Sequence, residues 1–274
     1  MANNEQLIGH GFIEPVITED NYVLGNARMP QVVVQDDGQW LGFIPVGERQ
    51  NRGPFETAGC TVYNTLNPIE ILIKQKYNTF FDFSERHIYI ESNTRPPGND
   101  PHTVAEVIRK TGLIAESLLP FNDSILTLEE YMIPKPMSEY LKQIAAKWLT
   151  EYTFMHEWVF KGGSDKQERM MEALKYSSLG ASVVGWRQKD GLYVKYPGER
   201  DNHWTDIVGY EKDKHWIIYD SYPPFIKHLA WDYDFGFAKR YHVEKISPLV
   251  YTPVKKNDFY GLIMWLIKNI FNRV

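Results

Sequence analysis

The pattern of apolar and polar positions changes character along the chain. Residues 1–45 offer only short extended pieces, with "QVVVQ" and "WLGFIPV" reading as β-like runs around the turn "DDG" at 36–38. The stretch "ERQNRGPFETAG", 48–59, is polar and broken by Gly and Pro, and reads as a loop. From Cys60 a helical period takes over. Val62, Leu66, Ile69, Ile73 and Tyr77 recur at helical spacing, with Ile71 and Leu72 beside them. Pro68 falls inside this run, where it either kinks one helix or separates two. "PHTVAEVIRKTG", 101–112, predicts a helix opened by Pro101 and closed by Gly112, and 138–150 and 165–177 predict two more. Beyond these the chain turns to β-branched and aromatic runs. Residues 180–186, 191–196, 203–210, 215–221 and 235–243 predict strands, and "EKDK" at 211–214 predicts a hairpin turn. Helices first and strands second predict an α+β fold with two segregated lobes.

The tail departs from that order. Over 251–274, Phe259, Leu262, Ile263, Leu266, Ile270 and Phe271 form one apolar helical face, bordered by Trp265 and Ile267, while Lys268, Asn269 and Arg273 are polar. Such a helix is expected to dock on the body, on a partner or second subunit, or on a membrane surface.

Composition narrows the functions open to the chain. At 274 residues and 43% apolar it can build one large domain or two small lobes. A net charge of −5 lacks the basic footprint of a nucleic-acid binder, so no nucleic-acid partner is expected. The 24% charged fraction argues against disorder. The 14% aromatic fraction suits a thick core or a substrate groove. The start "MANNEQLIGHGFIEP" has no basic then apolar signal pattern, and no apolar run approaches the ~20 residues of a membrane span. One cysteine excludes an intrachain disulfide and a Cys-based zinc site. His10, His87, His102, His156, His215, His228 and His242 show no metal-ligand spacing and read as surface or packing residues, and "KGGSDK" at 161–166 reads as a loop without phosphate-binding character. No metal and no cofactor is expected.

The single cysteine then becomes the candidate for chemistry. Cys60 follows a Gly-containing loop and opens a helical run, where unpaired N–H groups and the positive dipole end favour thiolate over thiol. A lone Cys is otherwise a small buried hydrophobe. Downstream, "NHWTDIVGY" places His203 at the head of one strand, and "HWIIYDSYPP" places Asp220 at the end of the next. The Cys-to-His separation is 143 positions, inside the ~130–150 window of one class of cysteine enzyme.

In these blocks the chain resembles the papain family of cysteine peptidases over roughly residues 40–245. "HWTDIVGYEKDKHWIIYDSY" is similar to the family's catalytic His strand, hairpin and Asn-Ser-Trp strand, with Asp220 in the Asn place, Ser221 matching and Tyr222 in the Trp place. "GNDPHTVAEVIRKTGLIAESLLPF", "SERHIY" and "LKYSSLGASVVGW" resemble the cleft-lining glycines and helix, the segment before them, and a strand of the second lobe. The resemblance implies a two-lobe fold, with a helical N-terminal lobe, an antiparallel β-barrel-like C-terminal lobe and the cleft between them. It implies that residues 46–250 form the catalytic domain. Residues 1–45 would be an extension, either integral or a short propeptide-like blocker. It implies a peptide or protein substrate and cleavage through an acyl-enzyme. Cys60 would be the nucleophile, His203 its acid–base partner, and Asp220 the group that orients His203. Gln50 would share the oxyanion with the Cys60 N–H, and Tyr222 would shield the His–Asp pair. Gly98 and Asn99 would pair with an extended substrate, and Trp204 would narrow the second specificity pocket.

The nucleophile block departs from the family. "QNRGPFETAGCTVY" puts Gln50 ten residues before Cys60, an insertion of about four, and the family's disulfides are absent. This fits a divergent relative of bacterial or phage type, cytoplasmic or virion-associated. Two alternatives stay open: a related thiol amidase, leader peptidase or transglutaminase-like acyl transferase, or a non-catalytic papain-fold binding or structural protein.

Overall fold

In the computed structural model the described residues are 11–18, 21–25, 29–52 and 55–246. The predicted 251–274 helix and His10 lie outside them. A short hairpin, β1 (Asn51–Arg52) and β2 (Phe55–Glu56), precedes the helices α1 (Cys60–Tyr77), α2 (Glu85–Glu91), α3 (Pro101–Thr111), α4 (Leu128–Tyr131) and α5 (Glu139–Glu151). Strand β3 (Tyr152–Trp158), helix α6 (Lys166–Leu174) and strands β4 (Leu179–Val183), β5 (Gln188–Lys189), β6 (Leu192–Tyr193), β7 (His203–Glu211), β8 (His215–Tyr219), β9 (Ile226–Ala230) and β10 (Ala238–Lys245) follow. The chain is α+β, with helices in the first half and a largely antiparallel sheet in the second.

Each helix start carries a physical reason. Asp100 caps α3 by accepting from the N–H groups of His102 and Thr103, with Pro101 in the first turn where its missing N–H costs nothing. Ser84 and Ser138 cap α2 and α5 in the same way. Helix α1 runs through Pro68 as a single helix of 18 residues, so the proline neither ends nor divides it. Its residues Cys60–Leu66 are all buried, which makes it the central helix of the molecule.

The eight-stranded sheet has the order β3-β10-β4-β7-β8-β9-β6-β5, antiparallel except where β6 meets β9. β7 lies near its middle against α1. From His203 to Gly209 every residue of β7 is buried, so both of its faces are covered. The antiparallel β7–β8 pair brings the start of β7 and the end of β8 to one edge, and that edge meets the N-terminus of α1.

The apolar runs near the N-terminus fold differently from the pattern's prediction. "QVVVQ" forms no strand, and Val32 and Val33 are exposed, while part of "WLGFIPV" is a 3-10 turn at Leu41–Phe43. Backbone contacts to Lys175 O from Val34 and Gln35, a hydrogen bond from Gln75 Nε2 to Val34 O and the packing of Val34 on the core hold the first run. Without a neighbouring strand, a β-branched run has no ladder to join.

Candidate active site

Cys60 is the first residue of α1. Ala58 just before it takes a left-handed backbone (φ 52), a conformation that costs a residue with a β-carbon about 1–2 kcal/mol. The turn is braced by Ala58 N–H donating to Glu56 Oε1 (2.8 Å) and Gly59 N–H donating to Thr57 Oγ1 (3.1 Å). The backbone strain thus sits where the chain swings Cys60 onto the helix end. The Cys60 N–H, in the first turn, has no intrahelical acceptor.

His203 Nε2 lies 2.6 Å from Asp220 Oδ1, and both residues are essentially inaccessible to solvent. His203 Nδ1 has no nitrogen or oxygen partner, which leaves that side of the ring for the Cys60 thiol. Burial alone would push the imidazole down. The charges of Asp220 and Cys60, with hydrogen bonds from both, outweigh it and raise His203 to about 10. The imidazolium is therefore the favoured form through neutral pH. The rings of Trp186 and Tyr222 flank it, with centroids 5.3 and 5.4 Å away. Tyr222 is itself buried.

Asp220 holds a second cation. Lys227 Nζ, on β9, donates to Asp220 Oδ2 (2.6 Å) and to the carbonyls of Tyr222 (2.6 Å) and Pro224 (2.8 Å). Burial raises the Asp220 carboxyl, but His203 and Lys227 together bring it below its ordinary value. Lys227 neutralises the charge that an Asp adds where the resembling family has Asn. Sequence reasoning missed this lysine, and only its place a few residues after the Asp-Ser-Tyr block hinted at it.

Asn64 is the second residue that the sequence did not reveal. One turn after Cys60, its Nδ2 donates to Cys60 O (3.1 Å), Trp204 O (2.7 Å) and Ser221 Oγ (3.2 Å). It ties the nucleophile helix to the residue after His203 and the residue after Asp220.

Gln50 reaches the site despite the longer loop, because part of the added length is taken up by the β1–β2 hairpin. Its Oε1 accepts from Ser221 Oγ (2.7 Å). Its Nε2 donates to Glu56 Oε1 and to Tyr222 OH, both at 2.7 Å, and Tyr222 OH donates to Glu56 Oε2 (2.7 Å). Both amide hydrogens are thus committed, one of them to the Glu56 carboxylate.

Asn99 pairs with backbone, and the partner is this chain's own N-terminal segment, while Gly98 N–H donates to Arg95 O (2.6 Å). Asn99 N–H donates to Gly11 O (3.0 Å), and Ile13 N–H donates to Asn99 O (2.9 Å). Gly11 and Phe12 N–H both reach Asn202 O at 3.4 Å. A β-carbon at Gly98 would lie 2.1 Å from Gly11 O, and one at Gly11 would lie 2.6 Å from Cys60 Sγ, so glycines alone permit this approach. Phe12 stacks on Trp204 at 5.7 Å and packs in one cluster with Cys60, Trp158 and Trp204. Residues 11–13 therefore form a strap over the thiol, with the Phe12 side chain stacked on Trp204. Among the described residues no cluster of His, Cys, Asp and Glu could hold a metal ion.

No family model matches the chain, and no curated protein does. Solved structures do match. The cysteine protease and lectin-like domains of Cwp84 from Clostridium difficile superpose with a TM-score of 0.61 at 15% identity, over 89% of this chain and 58% of that one. Procathepsin L 3 of Tenebrio molitor gives 0.56 at 14% identity, over 85% and 76%. Bromelain of Ananas comosus gives 0.54 at 16% identity, over 79% and 100%. A further Cwp84 structure is spanned over 57% of its length, so this chain corresponds to under two thirds of the Cwp84 chains. At these identities the likeness is one of fold, and the fold is papain-like.

Proposed function

We propose that the chain is a thiol-dependent hydrolase, a papain-like cysteine peptidase cleaving peptide bonds. The observation that carries the reading is the buried contact of His203 with Asp220 beside a helix-initiating Cys60. Cys60 Sγ attacks the substrate carbonyl carbon while the His203 imidazolium keeps the sulfur anionic. His203 then gives its proton to the leaving amine, and the acyl group stays on Cys60. Neutral His203 takes a proton from water, which attacks the thioester and frees the acid and the thiol. Asp220 keeps the ring in place and favours its charged form. The Cys60 N–H would donate to the oxyanion, and the Gln50 amide would join once Glu56 releases it.

In this reading the described form is self-blocked, with residues 11–13 where a substrate strand would lie. The test is hydrolysis of fluorogenic peptidyl amides. Activity is expected only when the strap is displaced and is lost in Cys60→Ser. Added to a strap-displaced variant, Glu56→Ala should raise turnover by freeing the Gln50 donor.

A second reading has its own observation. The Glu56 carboxylate on Gln50 and the buried thiol suit a papain-fold module that binds without turnover. Failure of every strap-displaced variant and of Glu56→Ala to cleave any amide, with the fold intact, would establish it.

A further inference from the structure

Trp158, which packs in one cluster with the strap residue Phe12, also lines a cavity of about 730 Å³, a volume typical of small-molecule sites. Trp158, Tyr152, Phe154 and Met29 give it apolar walls. Its polar lining is unusual. Lys239, on β10, is fully buried with Nζ 3.9 Å above the Trp158 ring, and its ammonium has no hydrogen-bond partner among the described residues. Burying a cation unpaired is costly. Burial pushes Lys239 down to about 7, with Asp100, Glu106 and Glu157 opposing that only in part.

Those three carboxylates are committed elsewhere. Asp100 caps α3. Glu106 accepts from Arg109 Nε (2.9 Å) and faces His156 Nε2 (3.0 Å), and Glu157 pairs with Arg240. His156 and His102, whose rings are 5.3 Å apart, line the same cavity, and each leaves its Nδ1 without a partner. Glu106 and Arg109, paired with each other, line the cavity too, and three unpartnered polar atoms lie buried in its wall, of which the Lys239 ammonium has no anion bonded to it among the described residues.

We propose that this cavity binds a small organic acid, its carboxylate taken by Lys239 Nζ and its apolar body lying against Trp158, Tyr152 and Phe154. The site is independent of the thiol chemistry. A bound carboxylate stabilises the ammonium, so binding above neutral pH takes up a proton.

Calorimetric titration of the whole chain at pH 8, in two buffers of different ionisation heat, tests this. The probes are phenylacetate and its neutral isostere phenylacetamide. Phenylacetate is expected to bind saturably with uptake of about one proton. Phenylacetamide is expected to bind about tenfold or more weakly. In Lys239→Met, which keeps an apolar chain of similar reach, the two probes should bind alike and proton uptake should vanish. Met155→Trp, which fills the cavity and leaves Lys239 in place, should abolish binding of both. Equal binding of acid and amide by the wild type would overturn the proposal. So would no phenylacetate binding at millimolar concentration, or acid binding that survives Lys239→Met.

Discussion

Asp220 is a carboxylate with a cation on each oxygen, His203 on one and Lys227 on the other. Removing one partner of such a buried set leaves an uncompensated charge. Lys227→Met is therefore expected to destabilise the fold by about 3–5 kcal/mol, read from denaturant unfolding. Adding Asp220→Asn to it removes the stranded charge. The double variant should recover most of the loss and keep its thiol reactivity, because an Asn carbonyl still accepts from His203 Nε2–H. If the double variant is as unstable as the single one, charge compensation is not the role of Lys227. Cys60, His203 and Asp220 stood out in the sequence by residue type and order, since the proposed chemistry needs a nucleophile, a base and a group that orients the base. Lys227 and Asn64 were not. A lysine on a strand reads as a solvated face, and a mid-helix Asn as polar surface. Their partners become neighbours only once β9 and α1 are folded onto β7.

Between neighbouring segments, the interaction that matters most is the strap against the cleft. Phe12 anchors it by stacking on Trp204, and backbone pairing to Asn99 and Asn202 sets its register. Phe12→Asp puts a charge in an apolar cluster and should release the strap, seen as faster proteolysis at residues 11–18 with the core intact. Asn64→Leu should loosen α1 from β7 and the Ser221 loop. Its signature, read in the Phe12→Asp background, is slower Cys60 alkylation at mildly acidic pH, with the far-UV spectrum unchanged. Elements bounded by Gly, Pro or capping residues, such as α3, were legible in the sequence. β3 was not, because it follows α5 directly at Glu151–Tyr152 with no breaker between them. The apolar run at 31–35 was read as β-like although it has no strand beside it. The blocking role proposed for residues 11–13 was one of two alternatives for the extension, and nothing in their composition decides it. It depends on two glycines, Gly11 and Gly98, meeting across the fold.

For the molecule as a whole, the helical half and the sheet meet along α1 and β7, and the charge buried there and behind it makes stability depend on pH. Lys239 is lowered in the folded state to about 7. Between that value and the ~10.4 of an unfolded lysine, the unfolded chain holds a proton that the folded chain has given up, so the penalty is full below 7 and fades as pH rises. Lys239→Met should therefore be more stable than wild type at pH 6, and the gap should close towards pH 10 in denaturant titrations. His203 has the opposite sign. Raised to about 10, it contributes stability that is full below ~6.5 and is lost as pH rises through 10. The papain-like architecture was legible because several blocks kept their order and spacing, while the cavity around Lys239 was not, since it joins α3, β3, β10 and the N-terminal segment. The most direct test of the account is the rate of Cys60 alkylation by iodoacetamide from pH 5 to 9 in wild type, Phe12→Asp, and Phe12→Asp with His203→Ala. The account predicts slow reaction in wild type. Phe12→Asp should react at least about tenfold faster, with reactivity persisting at pH 5–6, and that acidic component should vanish when His203 is removed. If all three instead follow one curve rising near the ~8.5 of a free thiol, neither the strap nor the thiolate–imidazolium pair exists as described.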